Sequence, residues 1–294
     1  MKKKNYLGFD IGGTGVKYAA VSEEGKFLTS GSFPSGMDMT REELTKQMSS
    51  LIERYIAEYR IAGVGISTLG IVNGEMGEVV SGAQNLPAIE GFNMREYFQK
   101  RFPGLKVAVM NDVHAAALGE RVFGAARGCK HFFCVTFGTG LGGCAIVDSN
   151  RVYGSHYHAG EIGYLDYRDG GECCEKELST GFVMHRAAKA LGREQINGIE
   201  FFKLVKEGNV ICTEIFEEWM GGIARLISNI VILLDPEKVI LGGGISGQGD
   251  FILNPVREKL KTMMPEEFFR HMKVEMAQCA NDAGILGAVS KWMK

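Results

Sequence analysis

The chain has 294 residues, enough for two domains of ordinary size. An apolar fraction of 45% and a charged fraction of 23% are those of a soluble globular protein, and a net charge of −2 gives no long-range pull toward nucleic acid or an anionic membrane. No run of about 20 apolar residues is present to span a bilayer, and although Met1-Lys2-Lys3-Lys4 looks like the start of a secretion signal, Asp10 interrupts the apolar stretch after it and no small-residue cleavage site appears, so a cytoplasmic location is expected.

Tyr6 to Asp10 reads as an apolar strand that runs into the turn Ile11-Gly12-Gly13-Thr14-Gly15 and out into a second strand, Val16 to Val21. A helix comes next. Thr40-Arg41-Glu42-Glu43 matches a capping box, and Leu44, Met48, Leu51, Ile52, Tyr55 and Ile56 fall on one helical face. Ile61 to Ser67 and Lys106 to Met110 read as buried strands. Asn111-Asp112 comes directly after the second of these and opens a helical segment, Val113 to Arg121. A domain boundary is expected between Leu118 and Cys129. Phe132 to Phe137 then repeats the opening pattern, with the turn Gly138-Thr139-Gly140-Leu141-Gly142-Gly143 and a return strand, Cys144 to Val147.

Helices dominate from Leu178 onward. Ile215 to Leu234 reads as a long one, ended by Asp235-Pro236. Lys238 to Leu241 is a short strand running into Gly242-Gly243-Gly244, and a last helix begins near Asn281-Asp282-Ala283-Gly284. Strands alternating with helices favour an α/β class with a mixed sheet in each half. The seven cysteines are odd in number and several lie in apolar strand runs, which reads as reduced, buried thiols.

Two glycine-rich hairpins let the backbone approach a ligand and leave N–H groups to point at it, so one in each half suggests two lobes gripping one polyphosphate. Asp10, at the end of the first strand, is placed to hold Mg²⁺, usually through water, with Thr14 and Lys17 adding donors. An aspartate in this place is as readily a turn cap. The turn is neither a Walker A motif nor a dinucleotide fingerprint, because it lacks Gly-Lys-Ser/Thr and returns into a strand. Asp112 fits either a helix N-cap or a general base that takes a proton from an attacking hydroxyl, and a helix N-terminus favours its anionic form. Asn111 beside it can hydrogen-bond another substrate hydroxyl. In the polar loop from His156 to Tyr164, Glu161 can accept hydrogen bonds from a polyol. His156, His158 and the adjacent pair Cys173-Cys174 have poor spacing for zinc.

Together these segments resemble the ROK family of bacterial sugar kinases and repressors, over nearly the whole chain. Phe9-Asp10-Ile11-Gly12-Gly13-Thr14 is similar to the family's first phosphate motif, and Gly138-Thr139-Gly140-Leu141-Gly142-Gly143 to the second. Ala159-Gly160-Glu161-Ile162-Gly163 resembles the sugar-binding signature. Leu234-Asp235-Pro236 through Leu241-Gly242-Gly243-Gly244 resembles the adenosine motif, and Asp282-Ala283-Gly284 the last family element. The resemblance implies a two-lobed ribonuclease H-like fold of the actin and hexokinase type, with a mixed sheet in each lobe and a cleft between. The expected division is a small lobe over 1–118, a larger one over 119–282, and a C-terminal helix at about 283–294 packed back on the first.

The resemblance further implies that Asp112 is the catalytic base and that Asn111, Glu161 and Asn85 contact the sugar, with Gly70 in a matching loop and Gly243 and Gly244 beside the adenosine. Glu175 stands four residues before Ser179, as the family's second sugar glutamate does before its serine. ATP and Mg²⁺ are the implied cofactors, and a homodimer the implied assembly. Two departures bear on function. Tyr164 stands where most family kinases have a histidine that binds both zinc and sugar. In Asp166-Tyr167-Arg168-Asp169-Gly170-Gly171-Glu172-Cys173 only Cys173 matches the family's zinc cysteines. A zinc-free subgroup similar to the β-glucoside kinases is expected. The loss of the histidine opens room at the anomeric position, so the expected activity is ATP-dependent phosphorylation of a hexose, at the 6-hydroxyl, with a β-glucoside or glucose as substrate. N-acetylmannosamine and fructose are the alternatives within the family. A sugar-sensing repressor is the alternative of another class, but the first hairpin begins at Tyr6 and leaves no room for a helix-turn-helix ahead of it, and no basic recognition helix appears elsewhere.

Overall fold

The computed structural model describes residues 4–167 and 172–293. The described residues form two units. One holds those up to Arg127, Gly154–His158, and those from Asn281 on; the other holds Gly128–Tyr153 and the described residues of Ala159–Ala280.

The first unit opens with an antiparallel meander, β1 (Asn5–Ile11), β2 (Gly15–Ser22) and β3 (Phe27–Pro34). Helix α1 (Arg41–Tyr59) is next. The Glu43 amide donates to the Thr40 hydroxyl at 3.2 Å and the Thr40 amide to the Glu43 carboxylate at 2.8 Å, so the capping box closes. Its buried face carries Leu44, Met48, Ile52 and Tyr55. Then come β4 (Ile61–Thr68) and a small antiparallel sheet of β5 (Ile71–Asn73), β6 (Glu78–Ser81) and β7 (Phe92–Asn93). Helix α2 (Met94–Arg101), strand β8 (Lys106–Asn111) and helix α3 (Asp112–Phe123) complete this stretch. The main sheet has the order β3-β2-β1-β4-β8, with β1, β4 and β8 parallel. A core including Leu7, Phe9, Ile52, Ile66 and Phe98 fills its α1 and α2 side.

The second unit repeats this plan. Strands β9 (Phe132–Phe137), β10 (Leu141–Val147) and β11 (Asn150–Arg151) form an antiparallel meander. Helices α4 (Cys174–Leu178), α5 (Thr180–Ala190), α6 (Gly198–Lys206) and α7 (Val210–Leu234) lead to β12 (Lys238–Gly243). Helices α8 (Asp250–Met263) and α9 (Glu266–Phe269) precede β13 (Lys273–Met276). The sheet order is β11-β10-β9-β12-β13, again three antiparallel strands and then parallel ones. Helix α7 begins five residues earlier than the pattern suggested, at an Asn209 cap whose side chain accepts the Cys212 amide. It buries Trp219, whose indole N–H donates to the Leu178 carbonyl at 2.9 Å.

Helix α10 (Ala283–Ser290) returns to the first unit. It lies on β1 and β4 where they present Gly8 and Gly65, and it crosses α3 where a methyl group on Gly287 would overlap the Ala115 carbonyl. Trp292 stacks on Tyr6 with centroids 5.4 Å apart.

Two expectations need correction. A boundary at 118/119 would cut α3, which runs to Phe123. The amides of Gly124 and Ala126 donate to the Glu120 carbonyl and the Ala125 amide to its carboxylate, so this stretch is bound to the first unit as far as Arg127. The larger unit is also interrupted, because Gly154–His158 belongs to the first. All seven cysteines are free thiols, five of them buried, with Cys173 and Cys279 half-buried. Burial pushes the Cys144 thiol up to about 12 and that of Cys174 up to about 11. Among the described residues no helix is long and apolar enough to cross a membrane.

Candidate active site

In the first unit the candidate residues gather at the carboxyl ends of the parallel strands, the usual place for a ligand in an open α/β sheet. Asp10 pairs in register with Ser67, Ile11 with Thr68, and Thr68 with Asn111. The half-buried Asp10 carboxylate accepts a hydrogen bond from Ser67 Oγ at 2.7 Å. Burial pushes its carboxyl above the usual range, and the Ser67 hydrogen bond and the nearby Lys17 ammonium act the other way. Lys17 stands opposite Asp10 on β2, and its side chain is exposed. Gly284, near the start of α10, leaves room for this carboxylate: a Cβ there would come 2.7 Å from Asp10 Oδ1.

The first glycine turn is closed by its own backbone. The Gly12 amide donates to the Gly15 carbonyl at 3.0 Å, and Ser35, at the end of β3, binds the Gly12 carbonyl through its hydroxyl at 2.8 Å. Among the described residues no protein group takes the amides of Gly13 or Thr14. Two unpaired N–H groups beside a carboxylate and a lysine suit phosphate oxygens and their Mg²⁺. A cavity of about 460 Å³ opens here, lined by Asp10, Gly12, Thr14, Gly15, Lys17, Ser32, Phe33 and Pro34.

Asn111, and not Asp112, caps α3. Its Oδ1 accepts the amides of Val113 at 2.9 Å and His114 at 3.2 Å, while its Nδ2 donates to the Gly70 carbonyl at 3.0 Å. The loop at Gly70 has φ +89°, and a side chain there would meet the Ser81 carbonyl. Asp112 is the first residue of α3 and is exposed; its Oδ1 accepts the Val113 amide at 2.9 Å. Asn85, also exposed, sets its Cβ against Gly13.

In the second unit the Gly138 amide donates to the Gly140 carbonyl at 3.0 Å, and among the described residues the amides of Thr139 and Gly140 have no protein acceptor. The Leu141 amide donates to Glu175 Oε2 at 3.1 Å. The structure thus sets Glu175 on the second glycine turn, a contact its place in the sequence did not reveal. Gly243 has φ +82°, with its Cβ position overlapping the Phe137 carbonyl, and the Gly244 amide donates to that carbonyl at 2.8 Å. This brings the end of β12 against the turn. The loop with Glu161 lies along β10, where the Gly160 Cβ position meets the Gly143 carbonyl and that of Gly163 the Leu141 carbonyl. Glu161 precedes a single 3₁₀ turn, Ile162–Tyr164, and the Tyr164 side chain at its end is 78% exposed. His156 and His158 are in the first unit, with ring centroids 6.5 Å apart. Of the segment matched to the zinc cysteines, 168–171 lie outside the described residues. Among the described residues no group of three or more His, Cys, Asp or Glu is placed to hold a metal ion.

A duplicated mixed sheet, each copy carrying a glycine-rich turn, defines a protein of the ribonuclease H-like, actin and hexokinase fold. The chain belongs to the ROK family, which it matches over residues 6–294. It is 31% identical over 296 residues to a β-glucoside kinase of Listeria monocytogenes, covering 97% of this chain and 96% of that one. Among solved structures it is similar to a ROK glucokinase from Streptomyces griseus in complex with glucose and AMPPNP, at 27% identity and a TM-score of 0.83 over 98% of both chains. It is also similar to a ROK protein from Streptococcus pneumoniae in complex with sucrose, at 26% identity and a TM-score of 0.86, over 98% of this chain and 97% of that one.

Proposed function

We propose that this chain, an ATP-dependent carbohydrate kinase, phosphorylates the 6-hydroxyl of a glucose unit, presented as a β-glucoside or as free glucose. The observation that supports it most is the row at the ends of β1, β4 and β8: a half-buried Asp10 at one glycine turn and, two strands away, Asn111 immediately before the exposed Asp112. MgATP supplies the phosphoryl group. In this reading Asp112 accepts the proton of the attacking hydroxyl, and without that transfer a sugar hydroxyl is a poor nucleophile. Asn111 is held by the Gly70 carbonyl and the α3 amides, which presents its side chain in one orientation toward a second hydroxyl. Asn85, Glu161 and Glu175 are the further sugar-facing groups. Asp10, with Lys17, Thr14 and the amides of Gly13 and Thr14, suits the Mg²⁺-bound phosphates. Gly138, Thr139 and Gly140 suit the phosphates from the second unit, and Gly243 and Gly244 the adenosine.

The β-glucoside preference rests on Tyr164. Its ring is exposed at the place where the family resemblance leads to a histidine, and an exposed ring beside the sugar loop can face a second sugar. The listerial β-glucoside kinase and the sucrose-bound structure among its relatives support a glycoside. A homodimer in the cytoplasm is the expected setting, and sedimentation equilibrium tests the assembly. The deciding assay is ATP-dependent phosphorylation across glucose, N-acetylmannosamine, fructose, cellobiose and gentiobiose, with Asp112→Asn alongside. The variant should lose about 10²–10⁴-fold in kcat while binding sugar nearly as before. Retained turnover within about tenfold contradicts the base. Faster turnover of glucose than of every disaccharide contradicts the glycoside preference.

A further inference from the structure

Glycine in a phosphate turn is ordinarily explained by backbone conformation. That explanation does not hold for the four turn glycines here, because none of Gly12, Gly13, Gly138 and Gly140 has φ in the left-handed region. They differ in what a side chain would meet. At Gly12 a Cβ would have 3.3 Å to the Gly15 carbonyl, and at Gly138 the nearest atom is 4.0 Å away. At Gly13 the same space is filled by Asn85, with its Cβ 2.8 Å and its Nδ2 3.5 Å from the position of the missing methyl. At Gly140 it is filled by Glu175, whose Oε2 is 2.6 Å away and also accepts the Leu141 amide. Each unit therefore has one turn glycine whose Cβ position faces only backbone, tightly at Gly12 and loosely at Gly138, and one occupied by a sugar-facing side chain, although Asn85 and Glu175 come from unrelated segments.

We propose that Gly13 and Gly140 are seats for Asn85 and Glu175, so that each phosphate turn positions a sugar contact and sugar affinity is coupled to nucleotide affinity within each unit. The inference rests on the kinase reading above. Gly13 carries one of the two unpaired amides of its turn, and Asn85 lies directly against that residue. Phosphate that fixes the turn also fixes Asn85, and sugar that holds Asn85 steadies the turn. By linkage the effect is reciprocal. In the second unit the carboxylate of Glu175 fastens the Leu141 amide. Gly163, in the loop that carries Glu161, sits 3.3 Å from the Glu175 Cβ, measured from where its own Cβ would lie. The turn, Glu175 and the sugar loop are thus one contiguous piece of packing.

The test is calorimetric titration of the sugar that the parent enzyme phosphorylates fastest, glucose or cellobiose, into nucleotide-free protein and into protein saturated with AMPPNP and Mg²⁺. Gly13→Ala must displace Asn85 by its Cβ, which is fixed to the backbone, and should weaken nucleotide-free sugar binding about tenfold. Gly140→Ala pushes against a carboxylate that can swing, and should weaken it about threefold. Gly138→Ala adds the same methyl with no atom nearer than 4.0 Å and should leave nucleotide-free sugar affinity within about twofold, while Gly12→Ala, whose methyl meets the Gly15 carbonyl at 3.3 Å and no side chain, should lose clearly less than Gly13→Ala. AMPPNP should tighten sugar binding in the parent and not in Gly13→Ala. If Gly13→Ala does not fold, Asn85→Ala gives the converse measurement: sugar should no longer tighten AMPPNP. Unchanged sugar affinity in Gly13→Ala, an equal loss in Gly12→Ala, or full coupling in Asn85→Ala overturns the inference alone. A parent that phosphorylates no sugar overturns the kinase reading, and this inference with it.

Discussion

Ser67→Ala isolates what the protein does to Asp10. Ser67 is wholly buried and donates to Asp10 Oδ1 at 2.7 Å. Burial already pushes the Asp10 carboxyl upward, and the Ser67 hydroxyl is the larger of the two groups opposing it, ahead of Lys17. Alanine removes one oxygen atom and leaves the packing of β4 otherwise intact. A hydrogen bond to a charged group is worth ~1.5–3 kcal/mol, and its loss falls on the anionic form, which is the form that serves Mg²⁺ in the proposed mechanism. The KM for MgATP at neutral pH should therefore rise about tenfold to a hundredfold, with a smaller change in the KM for sugar. The acid limb of kcat/KM for MgATP should move to higher pH, because Asp10 then holds its proton further up the scale. A coupled assay of sugar phosphorylation across pH ~5 to ~9 at saturating Mg²⁺ reads both effects. A variant whose profile superimposes on the parent, with the same KM for MgATP, refutes the assignment of Asp10 to the metal-bound phosphates.

Asp10→Asn should abolish turnover yet raise the melting temperature of the metal-free protein at neutral pH. The folded state holds this proton more tightly than the unfolded chain does. The contribution to stability is therefore fully present below the ordinary carboxyl value of ~3.9 and lost as pH rises through the folded value. Scanning calorimetry should show the gain vanishing near pH ~4, and a lower melting temperature at neutral pH would contradict the burial argument. Gly287→Ala should cost ~1–3 kcal/mol or more in urea unfolding, because its methyl overlaps the Ala115 carbonyl where α10 crosses α3. An unchanged midpoint would mean that the two helices are not in contact there. Iodoacetamide near pH ~7.5 should label the half-buried Cys173 and Cys279 ahead of the other five thiols. Rapid labelling of Cys144, whose thiol is pushed up to about 12, would contradict its burial.

The strand-turn-strand pattern was legible twice because a buried strand and a glycine turn are both local signals, and the two sheets repeat one order. The cap of α3 was less legible. Asn and Asp cap helices about equally well, so Asn111-Asp112 offers two adjacent candidates, and the folded chain distinguishes them: Asn111 Oδ1 takes the Val113 and His114 amides while the Gly70 carbonyl holds its Nδ2. The division falls at Arg127/Gly128, inside the expected range of Leu118 to Cys129 but later than 118/119, because the signal that keeps 119–127 with the first unit is a carboxylate: Glu120 turns back to take the Ala125 amide, a bond without periodicity. Tyr164 could be read as a departure from a motif, but its exposure could not.

The contacts hidden from the sequence have a common form. Asp10 is held by Ser67, 57 residues away; Asn111 by the Gly70 carbonyl, 41 away; and the Leu141 amide by Glu175, 34 away. In each pair at least one member lies in or beside a motif visible in the sequence, and the bond that holds it depends on strand register or loop packing. Ser67 in an apolar strand looks like any tolerated serine, and nothing near it in the chain marks it as the donor to Asp10. The two sets of residues should therefore fail differently. Changes at Asp10 or Asp112 remove the groups proposed to face the metal or react, and should suppress turnover outright. Changes at Ser67, Gly13 or Gly140 leave those groups in place but displace or retune them, and should appear as altered KM, pH limb or coupling with turnover partly retained. A Ser67→Ala enzyme as inactive as Asp10→Asn, and not restored at higher pH, would show that the distinction does not hold for this site.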